Sequence, residues 1–246
     1  MTFSVPRSAD FWHTLYGMSV RWACLFTICF CLVIVSLPAQ AQQTPTITFT
    51  LDFPKSDPSH YMISISSDGH ASYTGNGRFT PKSSMGVADD DRDPDEEHIE
   101  FTASPQVVSK IFALAKNAKY FQGEIDSKKR TIASTGQKTL TYKDSNKNTQ
   151  ATYNYSPIPA VQELTHIFQG LASTLEFGRR LNYFYHHQKL ALDQEMKLME
   201  DSAKGGDLQA ISAVAPILHK IADDKAVINV VRARAMRILA TPEDTK

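Results

Sequence analysis

Cysteine is nearly absent, and the three that occur, Cys24, Cys29 and Cys31, fall in one apolar run near the N-terminus. The chain beyond that run has no disulfides to draw on, even in an oxidising compartment, so its stability must come from packing. Net charge is absent too: 26 Lys and Arg balance 26 Asp and Glu. That leaves no nucleic-acid footprint and no strongly acidic solubilising character. No Gly-x-Ser-x-Gly elbow, His-Glu-x-x-His pair or phosphate-gripping glycine loop occurs. No catalytic residue can be named from motifs, and no cofactor is implied. Ser, His and Asp are present, but only a fold could bring them together. What remains is an ordinary globular composition, 42% hydrophobic, in 246 residues, enough for one large domain or two small ones.

The apolar run, Trp22 to Leu37, follows Arg21 and precedes Pro38-Ala39-Gln40-Ala41. A charged entry, a short apolar centre and a small-x-small exit match a secretory signal peptide over residues 1–41, cleaved after Ala41. The run falls short of the roughly 20 residues of a full membrane span. The alternative is an uncleaved signal anchor, which would make the chain an envelope-tethered structural protein. Cleavage predicts a nearly neutral, cysteine-free mature chain in the periplasm or outside the cell. A membrane is a partner only if the segment stays.

Residues 46–53 alternate apolar with polar and are rich in β-formers, which predicts a half-buried strand ending at Pro54. Tyr61 to Ile65 alternates again, then Asp68-Gly69, then Ala71 to Tyr73. Asp-Gly between two such runs is a hairpin signal, because these residues tolerate positive φ. Ile99 and Phe101 suggest a further short strand. Ser104-Pro105 reads as a capping hydroxyl followed by proline at the first helical position. The helix it opens reaches about Ala118, buries Val107 or Val108, Ile111, Leu114 and Ala115, and is closed by Tyr120-Phe121 and Gly123. Residues 138–143 and 149–155 form a second hairpin.

From Ala160 to about Lys204 the chain is free of proline, and Val161, Leu164, Phe168, Leu171 and Leu175 recur at helical spacing. This long helix reads as a spine covering the sheet, bent near Gly178. Beyond it Gly205-Gly206 breaks the helix and Asp207 is placed to cap the next. That next helix is expected to be kinked by Pro216, and Asp223-Asp224 to open a last one. The expected fold class is α+β: a small, mostly antiparallel sheet of two hairpins covered by helices, then a C-terminal helical hairpin. The strand-rich region is 42–157 and the helical region 158–246, either separate or sharing one core.

Four groups of residues invite a functional reading. Counting Asp89 as the first position, Asp89, Asp91, Asp93, Glu97 and Glu100 match the spacing by which a calcium loop collects oxygen ligands. Pro94 stands where that loop needs glycine, so a solvated acidic loop is the competing reading. Tyr183, Tyr185, His186 and His187 form an aromatic and imidazole cluster late in the long helix, a candidate ligand-binding surface; aromatics at helical spacing are otherwise core. Glu163 and His166 have the i, i+3 spacing of a di-iron bundle, but no second Glu-x-x-His completes it. Lys128-Lys129-Arg130 and Arg232, Arg234 and Arg237 are small basic clusters that a solvated face explains.

The hairpin Tyr61-Met62-Ile63-Ser64-Ile65-Ser66-Ser67-Asp68-Gly69-His70-Ala71-Ser72-Tyr73-Thr74-Gly75 resembles one found in small uncharacterised exported bacterial domains. Those carry Tyr-x-φ-x-φ-x-x-Asp-Gly-x-x-x-Tyr-x-Gly, with φ apolar, followed by a helix and a second strand pair. The similarity covers about residues 46–170 and lacks the cysteines that often precede the first tyrosine. The resemblance implies fold and export, and brings no activity. The expected function is an exported, non-catalytic binding or interaction module with an envelope or extracellular partner. The rival is a hydrolase-type enzyme whose site is assembled only in the fold.

Overall fold

Each alternating run becomes a strand in the computed structural model, which describes residues 43–76, 97–129 and 131–242. Among these, β1 (Thr46–Asp52), β2 (His60–Ser66), β3 (His70–Gly75), β4 (Glu97–Thr102), β5 (Gln137–Lys143) and β6 (Asn148–Tyr153) form one sheet in the order β4-β3-β2-β1-β5-β6. Every neighbouring pair is antiparallel. β1 is the seam: β2 to β4 continue from it as a meander on one side, and the β5–β6 hairpin adds to its other side. The β2–β3 turn is the Asp-Gly expected of it, with Gly69 at φ +92, where a side chain would be strained.

Period two sorts the side chains cleanly. Ile47, Phe49, Ile63, Ile65, Tyr73 and Leu140 face the helices and are buried. The opposite face is polar and open, its hydroxyls paired across strands, as in Thr48 with Ser64 at 2.9 Å and Thr139 with Thr152 at 3.1 Å.

Two helices cover the apolar face. α1 (Pro105–Asn117) starts as its sequence dictates, Ser104 Oγ accepting the Val107 N–H at 3.4 Å with proline at the first position. α2 (Pro159–His187) carries the expected stripe: Val161, Leu164, Phe168, Leu171 and Leu175 are all buried. Phe168 stacks flat on Phe49 of the sheet, ring centroids 5.2 Å apart.

The spine differs from expectation in one respect. It continues unbroken through Gly178 and ends at His187, where a single 3-10 turn, Lys189–Ala191, leads into α3 (Leu192–Gly205). Gly178 is there for close approach, since a Cβ would lie 2.4 Å from Val214 Cγ1. The next two expectations are also corrected. Asp207 caps no helix: residues 207–210 have no regular structure and lead to a 3-10 turn at Ile211–Val214. Pro216 sits in the first turn of α4 (Ala215–Asp223), where its missing N–H costs nothing, and starts that helix instead of kinking it. Asp224 belongs to the turn before α5 (Asn229–Leu239), accepting the Ala226 N–H at 2.8 Å.

The chain from Gln43 onward forms one compact unit. A single cluster of buried side chains runs from Ile47 to Ile238, so the strand-rich and helical regions share a core. The fold is α+β with a helical C-terminal layer. Among the described residues no helix is long and apolar enough to cross a membrane. The signal-peptide expectation lies outside the described residues.

Candidate functional site

A groove of about 650 Å³ runs along α1. Val108 and Phe112, one helical turn apart, face it from α1. Ala103, Pro45 and the Gly69 backbone close one end, and Tyr120 and Tyr142 the other. Its walls are chiefly apolar and aromatic. Its charged groups are Asp68, next to Gly69, and Lys116, in the last turn of α1.

Tyr120 reaches the groove through an unusual backbone. Lys119, Tyr120 and Phe121 have φ of 53, 54 and 62, three successive non-glycine residues in the left-handed region. Each such residue costs about 1–2 kcal/mol, and runs of this kind persist only where surrounding structure over-determines them. Here the surroundings are evident. Thr149 Oγ1 donates to the Tyr120 carbonyl at 2.6 Å, and Phe121 is buried. The Tyr120 ring lies 4.5 Å from that of Tyr142 and under the Lys147 ammonium at 4.3 Å. The Tyr142 hydroxyl donates to Asp144 Oδ2 at 2.7 Å; burial first, then that carboxylate, pushes the phenol up to about 12. Asp144 is held below the usual carboxylate range by the Tyr142 hydrogen bond, with the Asn146 and Lys147 amides assisting.

A second pocket, about 340 Å³, lies at the opposite end of β1 and β2, between Tyr61, Pro58 and α2. The buried carboxylate in its wall, Glu176, is fully engaged. Glu176, 6% exposed, accepts the Tyr73 hydroxyl at 2.7 Å on one oxygen and the Arg179 guanidinium at 2.8 and 3.0 Å on the other. Arg179 also reaches Glu97 at 3.3 Å. Burial and the Glu176 carboxylate push the Tyr73 phenol far up, and burial raises Glu97 against the pull of Arg179. A Cβ on Gly75 would lie 2.3 Å from the Tyr73 hydroxyl, so glycine there lets the phenol fold across to Glu176.

The open sheet face holds a third constellation. Thr74 Oγ1 lies 3.1 Å from His98 Nδ1, and His98 Nε2 lies 2.5 Å from Glu100 Oε1. His70 contacts the other Glu100 oxygen at 3.1 Å. This is a hydroxyl, imidazole and carboxylate in sequence, the order nucleophilic catalysis uses, yet His70 and His98 are 68% and 57% exposed on a flat surface.

The acidic run is divided. Asp89, Asp91 and Asp93 lie outside the described residues. Glu97 and Glu100 sit on opposite faces of β4, one facing Arg179 and the other the two histidines, so the fold does not bring them together. Among the described residues no three His, Cys, Asp or Glu side chains are grouped to hold a metal. Tyr183 and Tyr185 are half-buried at the end of α2, and His186 and His187 are exposed. Tyr183 packs on His187 at 4.7 Å and Tyr185 edge-on to His186 at 5.2 Å; none of the four lines either pocket. Glu163 pairs with Lys110 at 2.7 Å. Arg234 and Arg237 bind Asp193 and Glu200, clipping α5 to α3.

Sequence reasoning passed over Phe112, which stands off the main buried stripe of α1, and an aromatic in that position was the available signal. It also passed over Glu176 with Arg179, a charged pair inside an apolar stretch of helix. For Tyr120 no local signal exists. In comparison with known proteins, no family model matches the chain, and no curated protein matches it.

Proposed function

We propose that the chain is an exported, non-catalytic binding module and that its ligand site is the groove along α1. The observation that carries this reading is the combination of an apolar, aromatic concavity of about 650 Å³ with a left-handed turn that holds Tyr120 in its wall. Sites for small ligands have this size and lining, with a few polar groups to orient the ligand. The groove contains no histidine, and the Tyr142 hydroxyl in its wall is bonded to Asp144 with the phenol pushed up to about 12, so the lining favours binding over reaction.

The test is titration of the full chain with the neutral apolar dye Nile red. A blue-shifted, saturable emission is expected, and Phe112→Glu, which puts a charge in the groove wall, should abolish it while the thermal transition persists. Equal emission from the wild type and a folded Phe112→Glu variant would overturn the reading.

The hydrolase alternative is favoured by the Thr74, His98 and Glu100 sequence of contacts. Its weakness is exposure, because no cleft is there to orient a substrate or exclude water. If His98→Ala hydrolyses p-nitrophenyl acetate no more slowly than the wild type, that alternative is removed.

A further inference from the structure

We infer that the occupant of the α1 groove is a single-chain fatty carboxylate, its alkyl tail lying along α1 and its head group beside Lys116. The inference rests on the groove being the binding site and adds to it the chemistry of the ligand and its direction. Length comes first. The groove follows α1 from Pro105 to Lys116, about 16 Å of helix axis, which suits an extended alkyl chain of dodecyl length. Between those ends the α1 side of the groove is Val108, Phe112 and Ala113, with Ser109 the one hydroxyl. Burying an alkyl chain there removes methylenes from water with a gain for each one covered, and no internal polar group of a ligand is called for.

Charge sets the direction. At the Gly69 end Asp68 lines the groove, its carboxylate accepting the His70 N–H at 3.0 Å. A second carboxylate there would meet like charge. At the Tyr120 end Lys116 lines the groove, and it forms no ion pair with a described carboxylate. Lys147 stands over the Tyr120 ring close by. Asp144, beside Tyr142, already accepts the Tyr142 hydroxyl and the Asn146 and Lys147 amides. Two ammonium groups against one engaged carboxylate leave a local excess of positive charge at the mouth of an apolar channel. A ligand with one apolar tail and one anionic head fits both ends at once, whereas a cationic or neutral amphiphile satisfies only the channel.

The experiment is isothermal titration of the full chain with dodecanoate, dodecanol and dodecyltrimethylammonium, each below its aggregation limit, with anionic phosphatidylglycerol vesicles as a separate arm. Dodecanoate is expected to bind at least tenfold more tightly than either of the other two. Lys116→Glu should lower dodecanoate affinity at least tenfold and leave dodecanol affinity within a factor of two. Equal binding of the three amphiphiles, an unchanged dodecanoate affinity in Lys116→Glu, or binding to vesicles without binding of dodecanoate would each overturn the inference. Nile red binding that survives any of these failures would leave the groove as a site and remove only the fatty carboxylate. Absence of both dye and dodecanoate binding would remove the site itself.

Discussion

At one end of the β1–β2 hairpin, Tyr73, Glu176, Arg179 and Glu97 distribute their charges and protons among themselves. At the other end, the groove along α1 keeps Lys116 without a described carboxylate and holds Tyr120 in a costly backbone conformation. Both ends are concave and both contain tyrosines, so shape and residue type do not separate them. What separates them is whether the polar groups have partners. A buried carboxylate whose oxygens are all engaged has little left for a ligand, and its removal should be felt in stability. An apolar channel whose mouth carries a lysine with no described carboxylate partner has interactions left to offer.

The largest expected effect follows at the satisfied end. Glu176→Ala takes the acceptor from the buried Tyr73 hydroxyl and one of two carboxylates from Arg179, which keeps Glu97 at 3.3 Å. The cost is expected near the lower end of the ~3–5 kcal/mol seen when one member of a buried pair is removed. A loss of unfolding free energy in urea smaller than about 1 kcal/mol would mean the network contributes little to stability. Gly75→Ala should come next, at about 1–3 kcal/mol, because its methyl must displace the Tyr73 hydroxyl. The cause can be isolated in a double-mutant cycle. In a Tyr73→Phe background the same Gly75→Ala change should cost measurably less, and additive costs would contradict the steric account.

The helical layer extends the comparison by showing satisfaction near the surface. Glu200 accepts from Arg237 and pairs with Lys204, and these contacts pull its carboxyl from the ordinary 4.5 down to about 2. The native state therefore holds fewer protons than the unfolded chain between those values. Its stabilising contribution is complete above pH 4.5 and is lost as pH falls toward about 2. Glu200→Gln should flatten the acid limb of a stability profile in that window, by no more than about 1 kcal/mol, because Arg237 is more than half exposed and solvent screens the pair. An acid limb identical to the wild type would show that other carboxylates set it.

Much of this architecture is legible in the sequence wherever the signal is local. Alternation in 46–53 and 61–65, the Asp68-Gly69 turn, the Ser104 cap and the stripe from Val161 to Leu175 each report on neighbours a few residues away, and each is realised. The misplacements occur where distant contacts decide. Gly178 reads as a local weak point until Val214 is seen packed on it, and Pro216 looks like a kink until the residues before it prove to be a short 3-10 turn and not a preceding stretch of α-helix. The groove is the extreme case. Lys119, Tyr120 and Phe121 are ordinary residues, and what turns them left-handed is a threonine hydroxyl from β6 together with the burial of Phe121. The late cluster of Tyr183, Tyr185, His186 and His187 drew notice by composition, whereas the concave surface was assembled from residues that no motif connects.

The smallest expected effect is also the one with the opposite sign. Lys119 is exposed, at φ 53, and carries no packing role in the turn. Lys119→Gly removes a left-handed penalty of about 1–2 kcal/mol and returns about 0.5–1 kcal/mol through the greater freedom of glycine in the unfolded chain. The balance is a gain of about 0.5 kcal/mol, visible as a small rise in the urea midpoint. This would make glycine favourable beside the groove, just as it is required at Gly75, but for a different reason: relief of a dihedral in one case, room for a neighbouring hydroxyl in the other. If Lys119→Gly destabilises the chain instead, the turn is not strained at that residue. The conformation of Tyr120 would then be an ordinary consequence of its contacts, and the case for the groove would rest on its shape and charge alone.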